Sequence, residues 1–200
     1  MRQLERGEML FAAGDDNVAC ATLTSGALKV CAHDAEGHEQ ILSLIHPSGF
    51  VGEMFAPFAQ HDVIALTNST LCTFAKSDME RALADYPALA RALLRRSQED
   101  LHESRHLLEL TAHGSAEAKV TSLIMSFARA ASDSPCHPAH EFDLPLTRGE
   151  MANMLGLTIE TVSRKLSEFE KSGAIARKGK RGIELIDPAH LQAVSSGNGS

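Results

Sequence analysis

Glu160, Ser163 and Arg164 fall at i, i+3 and i+4, so a helix drawn through them brings a carboxylate, a hydroxyl and a guanidinium onto one face near its N-terminal end. Those groups can read the edges of base pairs. A guanidinium bonds bidentately to guanine, a carboxylate accepts from the cytosine amino group, and a serine hydroxyl serves several bases or a thymine. A charged helix face turned to water has the same spacing, so the elements that carry these residues must decide between the two.

Those elements are written into residues 146–173, LTRGEMANMLGLTIETVSRKLSEFEKSG. Thr147 and Glu150 form a T-x-x-E capping box, which starts a helix with Met151, Met154 and Leu155 on its apolar side. Gly156 permits a sharp turn, Leu157 is expected to plug the angle between the helices, and Thr158 is placed to cap a second helix. In that helix Val162, Leu166 and Phe169 recur at helical spacing and should face inward, opposite Glu160, Ser163 and Arg164. Two short helices about a glycine turn are the pattern of a helix-turn-helix, whose second helix enters the major groove of double-stranded DNA.

Downstream, GAIARKGKRGIELID predicts a strand, a basic turn over residues 178–182 and a returning strand with Ile183, Leu185 and Ile186, the form of a wing. From Arg164 to Arg181 stand seven basic residues (Arg164, Lys165, Lys171, Arg177, Lys178, Lys180, Arg181) against Glu168 and Glu170, a local balance of +5 in a chain whose total is −7. Such an island suits phosphate neutralisation. The expected backbone contacts are Thr147, Thr158, Thr161, Lys165, Lys178, Lys180 and Arg181.

Composition bounds the rest. With 200 residues and a 44% hydrophobic fraction the chain can bury one large or two small cores. No apolar run approaches a membrane span and no signal peptide is evident, so no membrane association is expected. Cys20, Cys31, Cys72 and Cys136 form no C-x-x-C pair, and three of them sit in strand-like stretches. Disulfides are therefore not expected, and a cytoplasmic location is. No nucleophile-base pair, phosphate-binding glycine loop or paired-carboxylate pattern appears, so no enzymatic activity is expected.

The first part of the chain reads as short apolar strands punctuated by glycines and polar turns, with DAEGH at 34–38 as a hairpin connection, which suits a small barrel or jelly roll. A helical pattern takes over at Ser77, the expected cap of SDMERALADY, and resumes after Pro87 to about residue 111. There Leu94, Leu101 and Leu108 repeat every seven residues, each followed three residues later by Ser97, Ser104 or Thr111. This heptad suits close pairing of two helices, and a homodimer is expected through it, although a core helix shows a similar period. Gly114 and Ser115 mark a hinge, with the next helix expected over 119–131. The class is α+β. The expected divisions are a β-roll over 1–76, a short helix and a dimer helix over 77–113, a winged helix-turn-helix over 114–190 and a flexible tail over 191–200. Two further constellations could hold a metal: His102 with His106 on the long helix, and Cys136, His137, His140 and Glu141 in a polar loop, though exposed side chains explain both.

In this order of parts the chain resembles the CRP/FNR family of bacterial transcription regulators along essentially its whole length. The resemblance is carried by Gly52-Glu53-Met54, a variant of the family's G-E-[LM] motif, and by the leucine heptad and the winged helix-turn-helix. It is closest to the FNR branch, through the E-x-x-S-R face within Ile159-Glu160-Thr161-Val162-Ser163-Arg164, Phe169, Lys171, Ser172 and Gly173, and TNSTLCTFAKSDME.

The resemblance implies a cyclic-nucleotide-binding-like β-roll, a dimerisation helix, and a homodimeric regulator that binds DNA, engages RNA polymerase and answers oxygen, redox or nitrogen-oxide status. It implies a half-site like TTGAT and not TGTGA, because Ile159 stands where the cyclic-AMP branch has a base-reading arginine. His61 and Asp62 stand where that branch has its phosphate-binding Arg-Ser pair, and a carboxylate repels a phosphate, so cyclic AMP is not an expected ligand. Cys72 matches the internal cysteine that helps bind a [4Fe–4S] cluster in FNR-type proteins. The other three ligands lie in a segment before the first strand, where this sequence begins. A cluster, and Cys72 as its ligand, is thus expected only in a longer native chain. Spacing offers no support for a cluster built from the four cysteines present, and Cys72 otherwise reads as a small buried residue. The alternatives are a β-roll that receives haem or a small molecule, and a regulator that needs no effector.

Overall fold

The computed structural model describes residues 1–132, 137–179 and 181–195. The chain divides into two units, Met1–Arg105 and His106–Ser200.

The first unit begins with eight strands: β1 (Arg2–Leu4), β2 (Met9–Phe11), β3 (Ala19–Ser25), β4 (Leu28–His33), β5 (Glu39–Ile45), β6 (Phe50–Val51), β7 (Asp62–Ala65) and β8 (Ser69–Ala75). They form two antiparallel four-stranded sheets, in the orders β1-β8-β3-β6 and β2-β7-β4-β5. Alternation sends Ala21 and Leu23 of β3, Leu71 of β8, Leu28 of β4, and Val63 and Ala65 of β7 into one shared core with Leu4, Leu10 and Val51. The hairpin expected at 34–38 joins β4 to β5, and Asp34 Oδ1 accepts from the backbone N–H groups of Glu36 and His38. Gly52 opens the G-E-M motif with φ +129°, and a side chain there would meet Cys20 Cβ at 3.0 Å.

Helix α1 spans Lys76–Asp85, and its N-cap is Ala75 with no side-chain cap bond. Ser77, expected to cap it, lies inside the first turn instead. Tertiary bonds decide this: Lys76 donates its backbone N–H to Val18 O and its ammonium to Ala56 O, which ties the helix start to the residue before β3 and to the β6–β7 connection. Helix α2 spans Pro87–His113, with proline at its first position, where the missing N–H costs nothing. Leu94, Leu101 and Leu108 are 61%, 49% and 70% exposed in the single chain, so the heptad leucines are not core residues of one chain.

In the second unit, α3 (Ala116–Ala130) begins three residues before its expected start because the Ser115 hydroxyl accepts from Ala118 N–H. Its Val120, Leu123, Ile124 and Phe127 are buried. Then come β9 (Glu141–Asp143), α4 (Arg148–Leu155), α5 (Ile159–Lys171), β10 (Ile175–Lys178), β11 (Gly182–Leu185) and α6 (Pro188–Ser195), with the strands in the order β10-β11-β9. Ile186, expected in the returning strand, lies just past β11 and is exposed. Two elements were not anticipated: β9, too short for a periodic signal, and α6, which enters the region expected to be a tail. Asp187 Oδ1 accepts from His190 N–H at the start of α6, and the helix packs on α3 through the fully buried Leu191. Leu191→Ala should destabilise this unit by about 2 to 5 kcal/mol, read as a lower urea midpoint; an unchanged midpoint would mean α6 adds nothing to the core. Among the described residues no helix is long and apolar enough to cross a membrane.

Candidate nucleic-acid interface

Both turns of the capping box at α4 are made. Glu150 N–H donates to Thr147 Oγ1 at 3.1 Å, and Thr147 N–H donates to Glu150 Oε2 at 2.8 Å. Gly156 ends the helix in the left-handed region, φ +60°, and Leu157 N–H donates to Ala152 O, so the chain reverses with half-buried Leu157 in the corner. Thr158 caps α5 by accepting from Thr161 N–H at 3.2 Å, and the two threonine hydroxyls lie 3.1 Å apart. These local bonds fix the pitch of α5 against α4. Val162, Leu166 and Phe169 are buried, while Glu160 and Arg164 are exposed and Ser163 is half-buried on the other side.

The expected readout residues therefore share one outward face. Glu160 is held below the usual carboxylate range by its own backbone N–H and then by Thr158, which keeps it an acceptor at neutral pH. The Arg164 side chain is 66% exposed, with Nε 3.9 Å from Glu168 Oε1. Ser163 Oγ accepts from Arg148 Nη1 at 3.3 Å. Arg148 was missed by reading the sequence, although it directly follows Thr147; the crossing of two short helices at a glycine turn brings the start of α4 beside the first turns of α5.

The basic island is more internally paired than its charge balance suggests. Lys165, expected as a phosphate contact, lies between Glu168 Oε2 at 2.6 Å and Glu117 Oε2 of α3 at 3.6 Å with its side chain 19% exposed. Its bond to Glu168 raises its pKa. Lys178 is held by Glu184 of β11 at 3.2 Å and Glu141 of β9 at 3.3 Å, which also raises its pKa. Arg177 pairs with Glu170. Arg181 is exposed at the wing turn, and Lys180 lies outside the described residues. Glu117 and Glu141 come from elements distant in the chain, so no local pattern announces them, whereas Glu168 lies one turn from Lys165 on the same helix.

On α2, Ser97 and Ser104 are exposed, and the half-buried Thr111 donates its hydroxyl to Leu107 O at 2.8 Å. His102 and His106 are exposed. Of the second suggested metal group, Cys136 lies outside the described residues, Glu141 is engaged by Lys178, and His140 Nδ1 faces Glu184 at 3.9 Å. Among the described residues the one group of three possible metal ligands is Asp34, Glu36 and His38, all exposed, and Asp34 already binds the hairpin backbone and His38 Nδ1.

The described cysteines do not come together as a ligand group: Cys20 and Cys72 belong to β3 and β8, and Cys31 to β4 of the other sheet. Burial with Glu39 nearby pushes the Cys31 thiol up to about 12. Cys72 is half-buried, with Sγ 3.8 Å from Thr24 Oγ1. Asp62 Oδ1 accepts from Ala13 N–H at 2.7 Å and its Oδ2 lies 3.0 Å from His33 Nδ1, while His61 lies 3.5 Å from Glu53.

Known proteins share this arrangement. Residues 88–194 match the Crp-like helix-turn-helix domain family, and residues 1–86 match the cyclic nucleotide-binding domain family. The chain is 32% identical over 193 residues to the transcriptional activator protein FnrL of Cereibacter sphaeroides, covering 95% of this chain and 78% of that one. It is 29% identical over 199 residues to the transcriptional activator protein Anr of Pseudomonas protegens, covering 98% and 81%. In fold it is similar to FixK2 from Bradyrhizobium japonicum, with a TM-score of 0.87 at 22% identity over 96% of this chain and 95% of that one. The winged helix-turn-helix, the two-sheet roll and these likenesses along the whole chain agree: the chain belongs to the CRP/FNR family of DNA-binding transcription regulators, which are not enzymes.

Proposed function

We propose that the protein reads, as a homodimer, an inverted repeat of a TTGAT-like half-site through Glu160, Ser163 and Arg164. The observation that carries this is the outward face of α5, where an ionised carboxylate, a hydroxyl and an exposed guanidinium stand together on a helix capped by Thr158. Arg164 takes the half-site guanine and Glu160 accepts from a cytosine amino group. Thr147, Thr158, Thr161 and Arg181 contact phosphates in this reading, with Lys180 expected to join them from the sequence alone, and Lys178 and Lys165 to the extent that their carboxylate partners release them. Dimerisation through Leu94, Leu101 and Leu108 removes three exposed leucines from water and lets Ser97, Ser104 and Thr111 approach their copies. Selecting bound sequences from a pool of randomised duplexes tests this reading: TTGAT in inverted repeat is expected, and recovery of TGTGA would contradict it.

Location in the cytoplasm and contact with RNA polymerase follow from transcriptional activation, the activity printed in the names of FnrL and Anr. Cyclic AMP is not the effector in this reading. Asp62, anchored by Ala13 and His33, stands at the position that the resemblance gives to a phosphate-binding residue of the cyclic-AMP branch, and a carboxylate there repels a phosphate. An oxygen, redox or nitrogen-oxide signal is the one that the resemblance to the FNR branch implies. A [4Fe–4S] cluster would take Cys72 with thiolates beyond the cysteines described above. An absorbance spectrum of anaerobically purified protein tests the cofactor: a broad blue-region band that bleaches in air supports a cluster, a Soret band supports haem, and a featureless spectrum removes both. Whatever the signal, it acts by changing the relative stability of two arrangements of the α2 pair.

A further inference from the structure

Four charged side chains of alternating sign run from α3 to the outward face of α5. Glu117 Oε2 lies 3.6 Å from Lys165 Nζ, Lys165 Nζ lies 2.6 Å from Glu168 Oε2, and Glu168 Oε1 lies 3.9 Å from Arg164 Nε. We propose that Glu168, anchored through Lys165 to Glu117, is a positioning residue that aims the Arg164 guanidinium at its base and so sets specificity. This rests on the reading of Arg164 as the guanine contact.

An exposed arginine samples many rotamers, and a bidentate bond to guanine demands one orientation of a planar fork. A carboxylate four residues on, facing the Nε edge, leaves both Nη groups turned away from it and available for two parallel bonds. Glu168 itself is steadied by Lys165, whose side chain is mostly buried between α3 and α5. Its carboxyl is held below its ordinary range first by the bond to Lys165 and then by the charges of Lys165, Arg164 and Lys171, so it stays ionised at neutral pH. Order imposed before binding lowers the entropic cost of the specific contact. The same carboxylate works against loose binding. On random DNA, Arg164 would serve as one more phosphate ligand, and Glu168 competes for it. On the cognate site the two bonds to guanine repay that competition.

The test uses the full chain as wild type, Glu168→Gln, Arg164→Ala and the double variant. Each is titrated onto the cognate duplex, a duplex with the half-site guanine replaced, and a random duplex. Glu168 is 47% exposed, so glutamine fits, and circular dichroism checks the fold. Glu168→Gln should lower the ratio of cognate to replaced affinity about threefold, the size of a surface ion pair, without weakening binding to random DNA. In the Arg164→Ala background the same change should leave the ratio alone. Glu117→Gln should give a smaller loss in the same direction. A wild-type ratio in Glu168→Gln, or a loss that persists without Arg164, overturns the positioning role. If Arg164→Ala itself leaves the ratio intact, the base-readout reading fails first and takes this one with it.

Discussion

Leu101→Asp should convert the protein to a monomer and lower its affinity for a duplex with two half-sites by about 100-fold or more. Leu101 is the middle of three leucines spaced one heptad apart on α2 and is about half exposed in the single chain, so its replacement removes little packing within one chain. In a helix pair related by twofold symmetry the substitution sets two carboxylates against each other in an apolar seam, and neither has a partner. Each half-site must then be bound alone, without the effective concentration that linkage provides. Sedimentation gives the oligomeric state and fluorescence anisotropy the affinity. A dimeric Leu101→Asp protein would place the interface elsewhere.

Arg164→Ala should cost about 1 to 3 kcal/mol on the cognate site, a loss of about 5- to 150-fold, and relax choice at the half-site guanine. The magnitude reflects two charge-assisted hydrogen bonds replaced by an unfilled groove. The outward face of α5 remains otherwise intact, since Val162, Leu166 and Phe169 hold the helix from the other side. On random duplex the loss should be small, because Arg164 is there at most one phosphate contact among several. Equal losses on cognate and random DNA would show that Arg164 neutralises charge and does not read sequence.

Much of the interface was legible in the sequence because its determinants are local. The Thr147–Glu150 capping box, the left-handed Gly156 and the Thr158 cap each act within a few residues, and the structure makes all three. The β-roll strands followed from short apolar stretches between glycines and polar turns, and α2 from a heptad unbroken after Pro87. Where distant elements decide, local pattern failed. Ser77 yielded to bonds from Lys76 to Val18 and Ala56, α6 is stabilised by α3, and β9 exists because β11 pairs with it. Glu117 beside Lys165 and Glu141 beside Lys178 are the clearest case. Counting charges along the chain gave a balance of +5, but Glu117, Glu141 and Glu184, which engage that island, lie outside the stretch that was counted.

Two copies of the outward face of α5 are expected to read one inverted repeat. The most direct measurement is an anisotropy titration on a duplex with two TTGAT half-sites and on the same duplex with one half-site scrambled. Two chains per duplex are predicted, with the affinity falling at least about 100-fold when one half-site is lost. One chain per duplex, or equal affinity for the intact and scrambled sites, would contradict it.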